Sequence, residues 1–415
     1  MITFDKYVLE NGLRVILHED HSTPLAAVNV LYDVGSRDET PEKTGFAHLF
    51  EHLMFGGSVN IPDFDGPLQR VGGSSNAFTN PDITNYYETL PATNLETALW
   101  LESDRMLSLG FSEKSLEVQR SVVIEEFRER YLNQPYGDSW LLLRPLAYKV
   151  HPYQWSTIGK EISHIQDARL DDVKSFFKTH YHPANAVLCI AGNIQNTEMK
   201  KMVDKWFGSI PSSPTKVRNL PVEPTQTERR SMTVEKDVPA SIIYKLYHCC
   251  ARNDREYHAT DLITDILSKG KSSRLYSDLV VDKKLFSSID AYMMGSFDKG
   301  LIAIEGKLAE GISVSDANDA IEEKLMELVN HEVSERELSK VKNKLETAFQ
   351  LSEMEVLNKA MNLCMMELLG DASGVNEEMN KYRNVMPDQI RAIASSVFSP
   401  ENCSTLYYLS KNHKR

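Results

Sequence analysis

His48-Leu49-Phe50-Glu51-His52 is the stretch from which the rest of the chain is read. It follows the pattern H-x-x-E-H, the reverse order of the commoner H-E-x-x-H. On an α-helix, residues three and four apart share a face. His48 and His52 can then grip one metal ion while Glu51 projects from the same side. Two neutral imidazoles suit Zn²⁺, and an adjacent carboxylate suits a general base acting on water. The flanking residues support a helix. Phe46, Leu49, Phe50, Leu53, Met54 and Phe55 supply an apolar face. Thr40 followed by Pro41 reads as a cap and first-turn residue, and Gly56-Gly57 as a stop.

The bulk properties set the frame. A chain of 415 residues is expected to form two or more domains. With 41% hydrophobic and 25% charged residues it has a globular composition. The start, Met1-Ile2-Thr3-Phe4-Asp5-Lys6, lacks the pattern of a signal peptide, and no apolar run has membrane-spanning length. The five cysteines include no C-x-x-C pair, so neither a disulfide framework nor a thiolate zinc site is indicated. A cytoplasmic location is the expectation. The net charge of −13 argues against nucleic acid as a partner.

Local patterning places the elements. Tyr7–His18 reads as two strands around the Asn11-Gly12 turn, and Ala26–Tyr32 as an internal strand. Asn76–Thr79 and Thr84–Leu90 carry the β-branched and aromatic residues of strands. Helical spacing covers Leu95–Leu107, Ser112 to about Tyr131, Leu170–His180 and Thr197–Phe207, with a buried strand at Ala186–Gly192. Residues 211–230 are proline-rich and aperiodic, an extended linker between domains at 1–210 and 231–415. The second half repeats the order of the first: a strand at Ser241–His248, a helix near Ala259–Leu267, strands at Ser288–Met294 and Leu301–Gly306, helices at Val314–Val329 and Ser334–Leu369, and a closing strand at Ser404–Leu409. The fold class expected is α+β. It would consist of two similar α/β-sandwich halves, each an antiparallel-rich sheet with helices on one face, and only the first would carry the metal motif.

A catalytic zinc needs a third protein ligand and an open position. The long helix containing Val122-Val123-Ile124-Glu125-Glu126-Phe127-Arg128-Glu129 offers the acids for it. Here the resemblance becomes specific. The chain resembles the pitrilysin/insulinase family of zinc metallopeptidases, the inverzincins, and within it the short forms such as the subunits of mitochondrial processing peptidase. The matching segments include Asn11–Val15, Val34-Gly35-Ser36-Arg37-Asp38-Glu39, Thr44–Phe55, Gly72-Gly73, Asn76-Ala77-Phe78-Thr79, Tyr181–Ala186 and Ser272-Ser273-Arg274-Leu275.

The resemblance implies that His48, His52 and Glu126 hold one Zn²⁺, that Glu51 is the general base, and that Glu125 is a neighbouring supporting group. It implies that Asn76, Ala77 and Phe78 lie on an edge strand that pairs with an extended peptide substrate. It further implies two halves enclosing a chamber, which restricts substrates to peptides or unfolded segments.

Two departures stand out. Where family members often carry a supporting glutamate seven residues before the metal-binding acid, this chain has Gln119. Family active sites are also completed by an arginine and a tyrosine after the Ser-Arg-Leu motif. The aligned positions here are Val280 and Ser287, which cannot stabilise an oxyanion as that pair would. The expectation is therefore a zinc-bearing endopeptidase subunit that works with a related subunit supplying the Arg/Tyr pair, or else as a homodimer. Some relatives are non-catalytic structural or docking subunits. Those lose zinc ligands, whereas this chain keeps both histidines, the base and the acid.

Overall fold

The computed structural model describes residues 1–215 and 217–411. In chain order the elements are β1 (Asp5–Val8), β2 (Arg14–Glu19), β3 (Leu25–Tyr32), α1 (Phe46–Leu53), α2 (Asp65–Arg70), β4 (Ser74–Thr79), β5 (Thr84–Pro91), α3 (Leu95–Leu107), α4 (Glu113–Phe127) and α5 (Ser139–Ala147). Then come α6 (Ile162–Gln166), α7 (Leu170–His180), β6 (Ala186–Gly192), α8 (Asn196–Phe207), β7 (Arg230–Lys236), β8 (Ile242–His248), α9 (Tyr257–Ser268), β9 (Phe286–Met294) and β10 (Leu301–Leu308). The chain closes with α10 (Val314–Asn330), α11 (Glu335–Ser352), α12 (Val356–Leu368), α13 (Glu378–Arg383), α14 (Pro387–Val397) and β11 (Cys403–Ser410).

Two sheets organise these elements. The first has the order β1-β2-β6-β3-β5-β4, the second β7-β11-β8-β10-β9. In the first, β6 is inserted parallel to β2 and antiparallel to β3. In the second, β11 is inserted parallel to β7 and antiparallel to β8. Apart from β1, which has no counterpart, β2-β6-β3-β5-β4 corresponds in order to β7-β11-β8-β10-β9, so the repeat expected from the sequence is present in the topology, and α9 takes the place after β8 that α1 takes after β3. Both halves are antiparallel-rich with one parallel pair each, the α+β arrangement expected.

The compact units are not contiguous in sequence. One comprises Met1–Arg128, Trp155–Leu220 and Phe349–Glu377; the other comprises Glu129–Gln154, Pro221–Ala348 and Glu378–Arg415. The simple division at 1–210 and 231–415 is corrected accordingly. The reason is where apolar faces find partners. Leu143 and Ala147 of α5 pack with Ile242, Tyr244, Leu246 and Leu406 of the second sheet. In the first unit, the Cys364 thiol of α12 reaches the carbonyls of Asn29 and Val187. Asn29 and Tyr32 point to opposite faces of β3. Since Tyr32 packs on Tyr86 and Tyr181, α12 adds a layer on the face away from them. The single helix expected over 334–369 is two helices broken at 353–355, and the chain passes from the second unit to the first at Ala348–Phe349, in the last turns of α11. The linker has no regular structure between 211 and 229 among the described residues. Arg218 ties it to Asp33 and Asp38 in the first unit. In the second, Glu223 accepts the backbone N–H groups of Lys149, Val150 and His151.

Candidate metal centre

α1 is held by its apolar face. Phe46, Ala47, Leu49, Phe50 and Leu53 are buried, and Phe50 stacks on Tyr181 with ring centroids 5.1 Å apart. Burying such an aromatic ring contributes about 2–3 kcal/mol, which fixes the rotation of the helix and leaves His48, Glu51 and His52 together on the other side. The helix begins later than the sequence suggested. Thr40 and Pro41 lie outside it and the N-cap is Gly45, at φ +87°. A side chain there would place its Cβ 2.6 Å from the Ile158 carbonyl oxygen, so glycine is required and a conventional hydroxyl or carboxylate cap is excluded. The stop at Gly56-Gly57 is as expected, with α1 ending at Leu53 and Gly57 at φ +98°.

α4 lies against α1 and brings in the acid. The Glu126 carboxylate oxygen Oε2 is 3.3 Å from His52 Nε2 and 3.6 Å from His48 Nε2. Among the described residues, these three side chains form a group of metal-type donors whose ligand atoms all lie within 4.8 Å of one another. In a tetrahedral zinc site with bonds of about 2.0–2.1 Å, ligand atoms are separated by about 3.3 Å. Two imidazole nitrogens and one carboxylate oxygen at these spacings fit that geometry and leave a fourth direction open. The side chains are 13%, 26% and 15% exposed for His48, His52 and Glu126. They are thus sheltered without being sealed, as a site that must admit a substrate requires.

Glu51 sits on α1 against Thr79, the last residue of β4. Burial pushes its carboxyl above the ordinary range; Thr79 and His52 oppose that shift and the Glu126 charge adds to it. Glu125, by contrast, is exposed and ion-paired to Arg128, so the register of α4 turns Glu126 inward and Glu125 outward. Gln119, also on α4, is half-buried, and its amide lies beside Gly56 just past the end of α1.

Asn76, Ala77 and Phe78 lie on β4, which ends the sheet and pairs with β5 on one side through Asn76↔Tyr87, Ala77↔Tyr86 and Phe78↔Asn85. Phe78 is 39% exposed. The Asn76 side-chain oxygen accepts from the Ala77 N–H at 2.8 Å.

The first unit also holds a buried charge that the sequence did not signal. Arg105 on α3 is fully buried, paired with Glu88 at 3.2 Å and with Glu102, and its guanidinium lies 4.4 Å from the ring centres of both Phe64 and Tyr86. Its place in a helix of mixed polarity gave no signal, because the two acids that neutralise it come from α3 itself and from β5. In the second unit, Ser287, the second residue of β9, is exposed and donates to the Lys307 carbonyl, and Val280 lies in a π-helical turn over Tyr276–Asp282. Arg274 is engaged by Glu337 through two bonds of 3.0 and 2.8 Å.

The family described as "Insulinase (Peptidase family M16)" matches residues 14–140, and the "Peptidase M16 inactive domain" matches residues 167–345. The second match covers α9, which takes α1's place without the H-x-x-E-H pattern. The chain is 30% identical over 410 residues to "Zinc protease PqqE" of Helicobacter pylori, covering 97% of this chain and 92% of that protein. It is 26% identical over 359 residues to "Probable mitochondrial-processing peptidase subunit beta, mitochondrial" of Arabidopsis thaliana, covering 83% of this chain and 66% of that protein. A crystal structure of a protease from Helicobacter pylori superposes with a TM-score of 0.93 at 29% identity, over 98% of this chain and all of that one. No helix among the described residues is long and apolar enough to cross a membrane. The chain belongs to peptidase family M16, the insulinase family, whose relatives of this length include proteins named zinc proteases.

Proposed function

We propose that the chain is a zinc-dependent endopeptidase that cleaves peptides or unfolded protein segments. The observation that carries this reading is the convergence of His48, His52 and Glu126 at ligand spacing, with Glu51 on the same helix face. The relatives named zinc proteases support the choice of metal. A bound Zn²⁺ would supply a Lewis acid that polarises the peptide carbonyl and acidifies water. Glu51 takes the proton from the attacking water and returns it to the leaving amine. An extended substrate lies along the free edge of β4, where backbone bonds beside Asn76, Ala77 and Phe78 hold its direction.

The same reading includes a partner. Val280 and Ser287 offer no cation or phenol to a developing oxyanion, and Arg274 is already committed to Glu337. A related subunit bearing an arginine and a tyrosine completes the reaction centre, as the resemblance to a processing-peptidase beta subunit suggests. The test is cleavage of a fluorogenic peptide library by the purified chain, alone and with a related chain that carries the Arg/Tyr pair. Glu51-dependent cleavage that is weak alone and strong with the partner is expected. Full activity of the isolated chain would contradict the pairing but not the peptidase. No cleavage under either condition, despite bound zinc, would favour a docking subunit.

A further inference from the structure

α1 lacks a capping side chain because position 45 must be glycine. Two N–H groups at this end of the helix are nonetheless bonded by a side chain. Glu39, which lies before the helix, accepts the Gly45 N–H on Oε2 at 2.9 Å and the Ala47 N–H on Oε1 at 2.8 Å. Ala47 is the second residue of the helix, the position that an N-cap oxygen ordinarily serves. His48 is the next residue. Glu39 is 8% exposed, so its bonds are little disturbed by water; burial pushes its carboxyl up to about 8, a shift that the bonds from Ala47 and Gly45 oppose.

Glu39 is itself rooted in a loop pinned from several sides. The Ser36 N–H donates to the Asn80 carbonyl and the Arg37 N–H to the Pro81 carbonyl. The Trp155 indole donates to the Ser36 carbonyl at 2.8 Å. Arg37 pairs with Asp33 and Asp82. Asp38 accepts the Gly35 N–H and pairs with Arg218 of the linker at 2.7 Å. A side chain held this firmly transmits its position to whatever it grips.

From this arrangement we infer that Glu39 is a positioning residue for the metal centre. It replaces the cap that α1 cannot have and sets the first turn of the helix. It thereby fixes the reach of His48 and His52 toward Glu126. The inference rests on the metal reading above. It requires nothing of Glu39 at the reaction itself, since Glu39 bonds the helix backbone and not the ligands.

The experiment measures Zn²⁺ affinity by competition with a chelator in the full chain. Wild type is compared with Glu39→Gln and Glu126→Gln, and thermal unfolding of the metal-free proteins is recorded alongside. Glutamine keeps the volume and one acceptor but turns an N–H donor toward a backbone N–H. Glu39→Gln is expected to weaken Zn²⁺ binding by about 10-fold, the scale of a lost supporting contact at a metal site, at a temperature where the metal-free variant is fully folded. A purely structural role would lower the unfolding temperature and leave the affinity unchanged, and that result overturns the inference. If Glu39→Gln does not fold, Asp38→Asn, which loosens the same loop, takes its place; an Asp38→Asn chain with wild-type Zn²⁺ affinity overturns the inference equally. A wild-type chain that takes up no Zn²⁺ overturns the metal reading and this inference together, whereas binding by wild type and Glu39→Gln alike overturns the inference alone.

Discussion

His52 Nε2 and Glu126 Oε2 lie 3.3 Å apart, although the two residues sit on separate helices with α2, β4, β5 and α3 between them in sequence. Nothing in the intervening chain ties them locally. Their meeting is a product of the packing of α4 on α1, and a pair of ligand atoms at this distance is what a tetrahedral ion needs.

Glu51 shares that helix face but lies on the β4 side, against Thr79. Its proposed task is proton transfer, not coordination. Glu51→Gln is therefore expected to retain stoichiometric zinc while peptide cleavage falls by about 10²–10⁴-fold. Parallel metal analysis and single-turnover cleavage check this. A Glu51→Gln protein with unimpaired cleavage would remove the base from the account.

Arg105 makes a second prediction, on stability. It is 0% exposed and answers the charges of Glu88 and Glu102, both also buried. Replacing it with Met leaves two carboxylates without their cation in a site where burial already drives Glu88 well above its ordinary range. The expected cost is about 3–5 kcal/mol, read from chemical denaturation at neutral pH. The triple variant Arg105→Met, Glu88→Gln, Glu102→Leu should recover much of it.

A third prediction concerns pH and the second unit. Burial on α9, with Asp261 one turn away, pushes Asp265 up to about 6 from the ordinary 3.8. Its folded value lies above its unfolded one, so its contribution is full below about pH 3.8 and is lost as pH rises through about 6. Above that point the native state bears an ill-solvated charge. Asp265→Asn should thus stabilise the chain by about 1–2 kcal/mol at pH 8, a figure discounted for its partial exposure, and by nothing at pH 4. Equal effects at the two pH values would contradict the shift.

Much of this architecture was legible because its signals are local. The Asn11-Gly12 turn, with Gly12 at φ +89°, separates β1 from β2 as expected. The H-x-x-E-H spacing and the apolar flanks of α1 placed His48, Glu51 and His52 on one face. Less was legible where the deciding contacts are remote. Thr40-Pro41 has the chemistry of a helix start, yet the chain turns there into a β-bridge between Thr40 and Lys43, and Gly45 opens the helix with Glu39 as its acceptor. Nothing in a single sequence says that an acid six positions upstream will fold back in this way. The break between α11 and α12 carries no proline or glycine. It follows from α12 finding its apolar partners on β3 and β6, which no local periodicity records. Likewise Glu125 and Glu126 are chemically equivalent in sequence. The rotation of α4, set by buried Leu116, Val123 and Phe127, is what distinguishes them.

That distinction provides the most direct test of the metal centre. Zinc content per chain should be measured by mass spectrometry of the native protein for wild type, Glu125→Gln and Glu126→Gln, with folding confirmed for each. The account predicts one zinc in wild type and in Glu125→Gln, and an affinity lower by more than about 100-fold in Glu126→Gln. A folded Glu126→Gln chain that keeps its zinc, or a Glu125→Gln chain that loses it, would contradict the assignment of Glu126 as the third ligand.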